Sequence, residues 1–165
     1  DLLDFKVVVR RNIDALVPIA HDYRIDINVT EPEQPISVVL DPRRIDRILR
    51  NLLINAIEHA ENKDIEVLIR ATDQTVAVSV RDFGVGLRKS ELNRVFDRFW
   101  RADPARARTK GGTGLGLSIA QEDAQLHGGV IEVWGEIGKG AQFTFTFPRE
   151  RGQSLIERPI PILHT

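Results

Sequence analysis

Apolar positions along the chain repeat first with a helical period. From Phe5 to about Tyr23, the residues Phe5, Val8, Val9, Ile13, Leu16, Val17 and Ala20 share one face, and Pro18 predicts a break or kink near the end of that helix. The period then shortens to two, and Ile25-Asp26-Ile27-Asn28-Val29-Thr30 alternates as a half-buried strand does. Glu31 to Pro35 reads as a turn and Ile36 to Leu40 as a second short strand. Asp41-Pro42 is a helix start, an N-cap carboxylate followed by proline at the first helical position. The helix behind it carries Ile45, Ile48, Leu49, Leu52, Leu53, Ala56 and Ile57 on one wide face and is expected to end between Ala60 and Lys63.

The second half continues with strands. Ile65 to Ala71 and Thr75 to Arg81 form a hairpin through Thr72-Asp73-Gln74, a glycine turn follows at Asp82 to Gly86, and a helix is expected from about Lys89 to Phe96. Arg101 to Thr113 is charged and aperiodic, the signature of a long mobile loop. Leu115 to His127 is helical and stops at Gly128-Gly129, after which Val130 to Trp134 and Ala141 to Phe147 complete the sheet around Gly138 and Gly140. Beyond Pro148 the chain is polar and carries Pro159 and Pro161, so residues 149–165 are expected to be a disordered tail on a domain of residues 1–148. The expected fold is an α/β two-layer sandwich: a mixed sheet of five or six strands with three main helices on one face and a mobile lid.

Composition narrows the chemistry. Lys and Arg total 23 against 24 Asp and Glu, a net charge of −1, which gives no general attraction for nucleic acid or anionic lipid, so any functional positive charge must be local. Without cysteine there can be no disulfide, thiolate zinc site or cysteine nucleophile. No apolar run approaches the roughly 18 residues of a membrane span. The chain opens on Asp1-Leu2-Leu3-Asp4-Phe5 without an initiator Met and reads as a piece of something longer.

Four segments could carry chemistry. In Asn51-Leu52-Leu53-Ile54-Asn55-Ala56-Ile57-Glu58-His59 the polar residues Asn51, Asn55, Glu58 and His59 share one helix face. Asn is a mediocre helix former, so two of them one turn apart are either buried amides satisfied by loops or a strip facing a ligand, with an amide oxygen available to a hard cation such as Mg²⁺. Asp82-Phe83-Gly84-Val85-Gly86 follows a strand; its glycines permit a sharp turn and close approach of a flat ligand, and its carboxylate can accept from an exocyclic amine. Phe96, Phe99 and Trp100 have core spacing, but Arg98, Arg101, Arg106, Arg108 and Lys110 follow against only Asp97 and Asp103, a local excess that suits polyphosphate. Gly111-Gly112-Thr113-Gly114-Leu115-Gly116-Leu117 then opens a helix, where free backbone N–H groups and the helix dipole favour phosphate.

Other phosphate motifs fail on their letters. Gly135-Glu136-Ile137-Gly138-Lys139-Gly140 lacks the upstream Gly and the Ser/Thr of a P-loop, and Lys89 and Ile119 stand where the third glycine of a dinucleotide fingerprint would fall.

The order Asn-Leu-Leu-x-Asn-Ala, Asp-x-Gly-x-Gly, Phe-x-x-Phe-Trp-Arg, Gly-Thr-Gly-Leu-Gly-Leu resembles the four boxes of the catalytic ATP-binding domain of sensor histidine kinases. That superfamily, with the Bergerat fold, also holds gyrase, Hsp90 and MutL ATPase domains. The match covers about Asp41 to Pro148, and Phe99-Trp100-Arg101-Ala102-Asp103 with Leu126-His127-Gly128-Gly129 looks like histidine kinases in particular. The stretch Arg101 to Arg108 is similar to one actinobacterial branch of them.

The resemblance implies roles. Asn55 would ligate Mg²⁺ bridging the phosphates of ATP, with Asn51 beside it, and Asp82 would accept the adenine amine while Gly84 and Gly86 let the base in close. Arg101 and Lys110 would neutralise the terminal phosphates, Thr113, Gly114, Leu115 and Gly116 would close over them, and His59 would lie near the base. Glu58 stands where many relatives carry Lys or Arg, which puts a phosphate contact from that position in doubt. The family's phosphoacceptor motif is absent: His21-Asp22-Tyr23-Arg24-Ile25 starts like it but lacks the Thr-Pro. The acceptor histidine would therefore lie on an upstream dimerisation domain, with a response regulator as downstream partner. The implied setting is the cytoplasmic part of a membrane-anchored sensor, monomeric as an isolated domain and dimeric at full length. A second reading keeps the fold but makes it an ATP-gated interaction module without phosphotransfer. A gyrase- or MutL-like ATPase would place a catalytic Glu where Asn51 stands, and an amide cannot take a proton from water. An anti-sigma-factor Ser kinase is disfavoured likewise, because it would want a catalytic acid near the same place.

Overall fold

In chain order the elements are β1 (Leu2–Asp4), α1 (Phe5–Asp22), β2 (Ile27–Thr30), β3 (Ser37–Val39), α2 (Pro42–His59), β4 (Ile65–Ala71), β5 (Thr75–Asp82), α3 (Lys89–Leu92), α4 (Gly116–Leu126), β6 (Val130–Glu136) and β7 (Gly140–Pro148). The structure is a computed structural model and describes residues 2–100 and 116–163. A five-stranded sheet has the order β2-β4-β5-β7-β6, parallel between β2 and β4 and antiparallel elsewhere. Its inner face presents Val76, Val78 and Val80 of β5 with Phe143, Phe145 and Phe147 of β7 to the helices. Phe145 stacks on Phe147 at 4.7 Å, and Phe5 of α1 meets Phe147 edge-on at 5.1 Å. α2 packs between α1 and α4 and buries Ile45, Ile48, Leu49, Leu52, Leu53, Ala56 and Ile57, the face its sequence predicts. This is a two-layer α/β sandwich, and none of its described helices is long and apolar enough to cross a membrane.

Both long helices start on a carboxylate. Asp4 Oδ1 accepts from the Lys6 N–H at 3.0 Å and from the Ile36 N–H at 3.0 Å, and Asp41 Oδ1 accepts from the Arg43 N–H at 3.1 Å. The bonds to Lys6 and Arg43 satisfy first-turn N–H groups that have no partner within their helix, and the bond to Ile36 ties the start of α1 to the approach to β3. α1 does not break at Pro18 but runs on to Asp22. Pro18 and Asp14 are both exposed, so the carbonyl that loses its donor faces water, where the loss costs little.

The structure differs from the sequence reading at three places. Ser37–Val39 does not join the main sheet; it pairs antiparallel with Leu2–Asp4, a strand too short to show any alternation. α3 stops at Leu92 instead of Phe96, because the chain continues as separate turns, with Arg94 N–H to Glu91 carbonyl and Asp97 N–H to Arg94 carbonyl, both 2.9 Å. Those turns still deliver the apolar side chains: Val95 is buried and Phe96 meets Phe143 edge-on. Residues 149–163, expected to be disordered, carry no helix or strand and lie along the sheet face opposite the helices. There Glu157 accepts from the hydroxyls of Thr72 (2.7 Å) and Thr75 (3.2 Å), Arg158 pairs with Glu132 at 2.8 Å, and Ile160 is buried. Thr75, Ala77, Ser79, Thr144 and Thr146 on that outer face are buried as well.

Candidate nucleotide site

A cleft opens between the C-terminal half of α2 and the end of β5. Asn55, His59, Asp82, Gly86, Leu87, Val95, Trp100, Leu117, Ala141 and Phe143 line it. The strand ladder sets its closed end, since Asp82 is the last residue of β5 and sits directly opposite Ala141 of β7. The α2 periodicity sets its other wall, because Asn55 and His59 are one turn apart on the same face.

Asp82 is only 2% exposed. Its Oδ1 accepts from the Gly84 N–H at 3.0 Å, which closes an Asx turn after the strand. Burial pushes its carboxyl up to about 6, opposed by backbone hydrogen bonds from Gly84 and Ala141 and by the nearby charges of His59 and Arg81. At neutral pH it is therefore an ionised acceptor in an otherwise apolar recess formed with Leu87, Val95 and Phe143.

The two glycines of this turn serve backbone packing. A Cβ on Gly84 would run into the backbone carbonyl of His59, and one on Gly86, whose φ is +81°, would run into that of Glu136. The first contact seats the turn against the end of α2, and the second seats it against the β6–β7 hairpin. Lys63 adds a tether by donating to the Phe83 carbonyl at 3.2 Å. Behind the turn, the Arg81 guanidinium lies between the rings of Phe83 (4.4 Å) and Trp134 (4.7 Å).

His59 Nδ1 is 2.7 Å from the Asn55 carbonyl, which can only accept, so that nitrogen carries a proton. Asn51 lies one turn before Asn55, against the first residue of α4: a Cβ on Gly116 would sit 3.2 Å from Asn51 Oδ1. The structure thus brings together Asn55, His59, Asp82 and Gly86 in the cleft, packs Gly84 behind it, and sets Asn51 against Gly116 at its edge. Arg101, Lys110, Thr113, Gly114 and Leu115 lie outside the described residues. Of the apolar lining, Leu117 belongs to the glycine-rich segment that the sequence marks out, whereas Leu87 and Phe143 read from sequence as ordinary core positions. Trp100 does line the cleft, whereas Phe99 is 69% exposed.

The donor set fits a magnesium ion carried by a polyphosphate. Among the described residues no group of three Asp, Glu, His or Cys side chains could hold a metal by itself. Asn55 supplies a half-buried amide in the cleft with no hydrogen bond from it to another described side chain. Mg²⁺ characteristically keeps several waters and takes one or two protein oxygens beside those of phosphate, so one amide oxygen is sufficient.

Residues 40–151 match the family of histidine kinase-, DNA gyrase B- and HSP90-like ATPases, and the chain belongs to that family. Proteins of the family to which it is similar include sensor histidine kinases. MtrB of Mycobacterium tuberculosis, a sensor histidine kinase, is 46% identical over 162 residues, 98% of this chain and 29% of that protein. The chain thus spans under a third of the length of this relative. Among solved structures, the nucleotide-free catalytic domain of histidine kinase ThkA superposes with a TM-score of 0.78 at 26% identity, covering 91% of this chain and 97% of that one. Full-length ShkA in complex with AMPPNP gives a TM-score of 0.81 at 28% identity, covering 93% of this chain and 32% of that one.

Proposed function

We propose that this chain is the ATP-binding catalytic domain of a sensor histidine kinase, passing the γ-phosphate of ATP to a histidine on a dimerisation domain outside the chain. The observation that carries the reading is the buried, ionisable Asp82 at the closed end of a cleft whose open side holds Asn55 and the start of α4. A carboxylate in that recess accepts from the exocyclic amine of adenine and repels the carbonyl that guanine presents in its place. Leu87, Val95 and Phe143 supply apolar walls for a flat base. Asn55 would hold Mg²⁺, with Asn51 beside it, and the ion would supply charge neutralisation at the triphosphate. Arg101, Lys110, Thr113, Gly114 and Leu115, leading into Gly116, are assigned to the phosphates from sequence order. The nucleotide-binding unit is residues 1–148, with 149–163 lying against it.

In the transfer itself an imidazole nitrogen of the acceptor histidine attacks the γ-phosphorus. An N–P bond forms, the bond to the bridging oxygen breaks, and ADP leaves with the electron pair. This chain's residues contribute position and electrostatics, the principal means of catalysis in phosphoryl transfer. The base that takes the imidazole proton is assigned to the dimerisation domain, and the phosphate is destined for a response regulator.

The test uses the full-length protein and γ-labelled ATP. Acid-labile, base-stable label on the upstream histidine is the expected result. If the protein binds ATP and changes the behaviour of a partner but never acquires label, the ATP-gated interaction module replaces the kinase.

A further inference from the structure

We infer that Asp123 is a positioning residue for the phosphate half of the site, holding α4 in register on α2 through Arg44 and Arg47. The inference rests on the nucleotide reading above. Asp123 is 1% exposed yet charged, and it does not touch the cleft. Arg47 grips it with both arms of its guanidinium, Nε to Oδ2 at 2.6 Å and Nη2 to Oδ1 at 2.7 Å, and Arg44 adds Nη1 to Oδ1 at 2.9 Å. Burial alone would push the carboxyl up, but these bonds outweigh it and hold Asp123 below the usual carboxylate range. His127, also buried, adds a second tie: its Nε2 accepts from the Asp41 N–H at 3.0 Å, and its Nδ1 donates to the Asp123 carbonyl at 3.0 Å.

The placement of this clamp gives it a function. Asp123 lies two turns beyond Gly116 on α4, and Asn51 lies two turns beyond Arg44 on α2, about 10.5 Å of helix in each case. The helices therefore run antiparallel with contacts at both ends of one matched span, Asp123 on Arg44 and Gly116 beside Asn51. Sliding α4 along α2 would move Gly116 off Asn51 and Leu117 out of the cleft that it shares with Asn55. Apolar helix packing resists sliding only through shape, whereas a bidentate guanidinium–carboxylate pair fixes distance and angle. The base end does not depend on this clamp, because Asp82 is held by the β5–β7 ladder and the Gly84 turn.

The prediction is a split between ligands. Asp123→Asn, in the full chain, is expected to weaken Mg-ATP binding by about tenfold, the usual scale for losing a group that orients a ligand-holding element. Adenosine, which reaches only the base end, should bind within about twofold of the unaltered protein on the same argument. Chemical-shift titration of the labelled chain reads both ligands and reports its folding at once. Because a buried substitution can unfold the domain, Arg47→Gln is measured beside it: Arg47 is half exposed, and the same split with a smaller ATP loss is expected. Unchanged Mg-ATP affinity in both variants overturns the inference, and so does an equal loss for adenosine and Mg-ATP. If the unaltered chain binds neither ligand, the nucleotide reading falls and takes this inference with it.

Discussion

At one end of the cleft Asp82 belongs to a strand, and the main-chain ladder from Thr75↔Pro148 to Asp82↔Ala141 fixes where its carboxylate stands. At the other end Asn51 and Asn55 belong to a helix, and their opposite number, the start of α4, is held there by side chains. Backbone hydrogen bonds along a central strand are numerous and cooperative, so the base end is rigid whatever the nearby side chains are. A helix pair has no main-chain bonds across its interface, so its register depends on packing and a few polar contacts. The site therefore combines a fixed recess with an adjustable wall, and the adjustable wall is the one that leads into residues 101–115. A site that must hold a nucleotide and yet change around its phosphates benefits from this division.

The largest expected effect falls on the fixed end. Gly84→Ala drives a methyl group into the His59 carbonyl, backbone against backbone, and should lower stability by about 3 kcal/mol or more in a urea titration. Gly138→Ala is the control: no atom lies within 4 Å of its Cβ, and only the strain of its φ of +82° remains, about 1 kcal/mol. Equal losses at the two positions would show that the turn is not wedged against α2 as described.

Asp82 gives the next two effects. Asp82→Asn should weaken ATP binding by about a hundredfold and narrow the preference for ATP over GTP, since the amide can present a donor to guanine. An equal loss for both nucleotides in a thermal-shift assay would end the base-reading role. The second effect is on stability. The folded carboxyl titrates near 6 against an ordinary value of 3.8, so the folded state binds the proton more tightly than the unfolded one. The stabilisation from protonating Asp82 is complete below the unfolded value and is lost as pH rises through about 6, a change on the order of 3 kcal/mol. The difference in stability between the unaltered domain and Asp82→Asn should therefore change between pH 4 and pH 7 and flatten above that. A difference independent of pH would mean that the carboxyl is not buried as seen.

Much of this was legible in the sequence. The stripe of α2, the Asp41-Pro42 start and the Asp82 turn follow from periodicity and cap chemistry, which act over a few residues. What escaped depends on distant partners. Leu2–Asp4 is a strand only because Ser37–Val39 lies beside it. The room that a glycine gives a ligand and the room that it gives a neighbouring carbonyl are written identically, so Gly84 could not reveal that His59 fills its space. Arg44, Arg47 and Asp123 look like solvated charges until α2 and α4 are side by side. Residues 149–163 carry Leu155, Ile156, Ile160, Ile162 and Leu163 with neither a helical nor a strand period, so no packed element is predicted, yet Glu157 and Ile160 find partners on the outer face of the sheet.

The smallest effect probes the adjustable wall most directly. Asn55 is half-buried and lines the cleft. Asn55→Ala removes an oxygen donor and a mediocre helix former together, so the domain should stay as stable or gain a few tenths of a kcal/mol. ATP affinity measured with Mg²⁺ should fall by about tenfold, and affinity measured in a chelator should not change, because the amide would act on the triphosphate through the ion. Adenosine affinity should be untouched, which separates this variant from those at Asp82. If chelation weakens ATP binding as much in Asn55→Ala as in the unaltered protein, the ion is held by other groups. The polar face of α2 would then be an edge of the cleft with no part in holding the triphosphate.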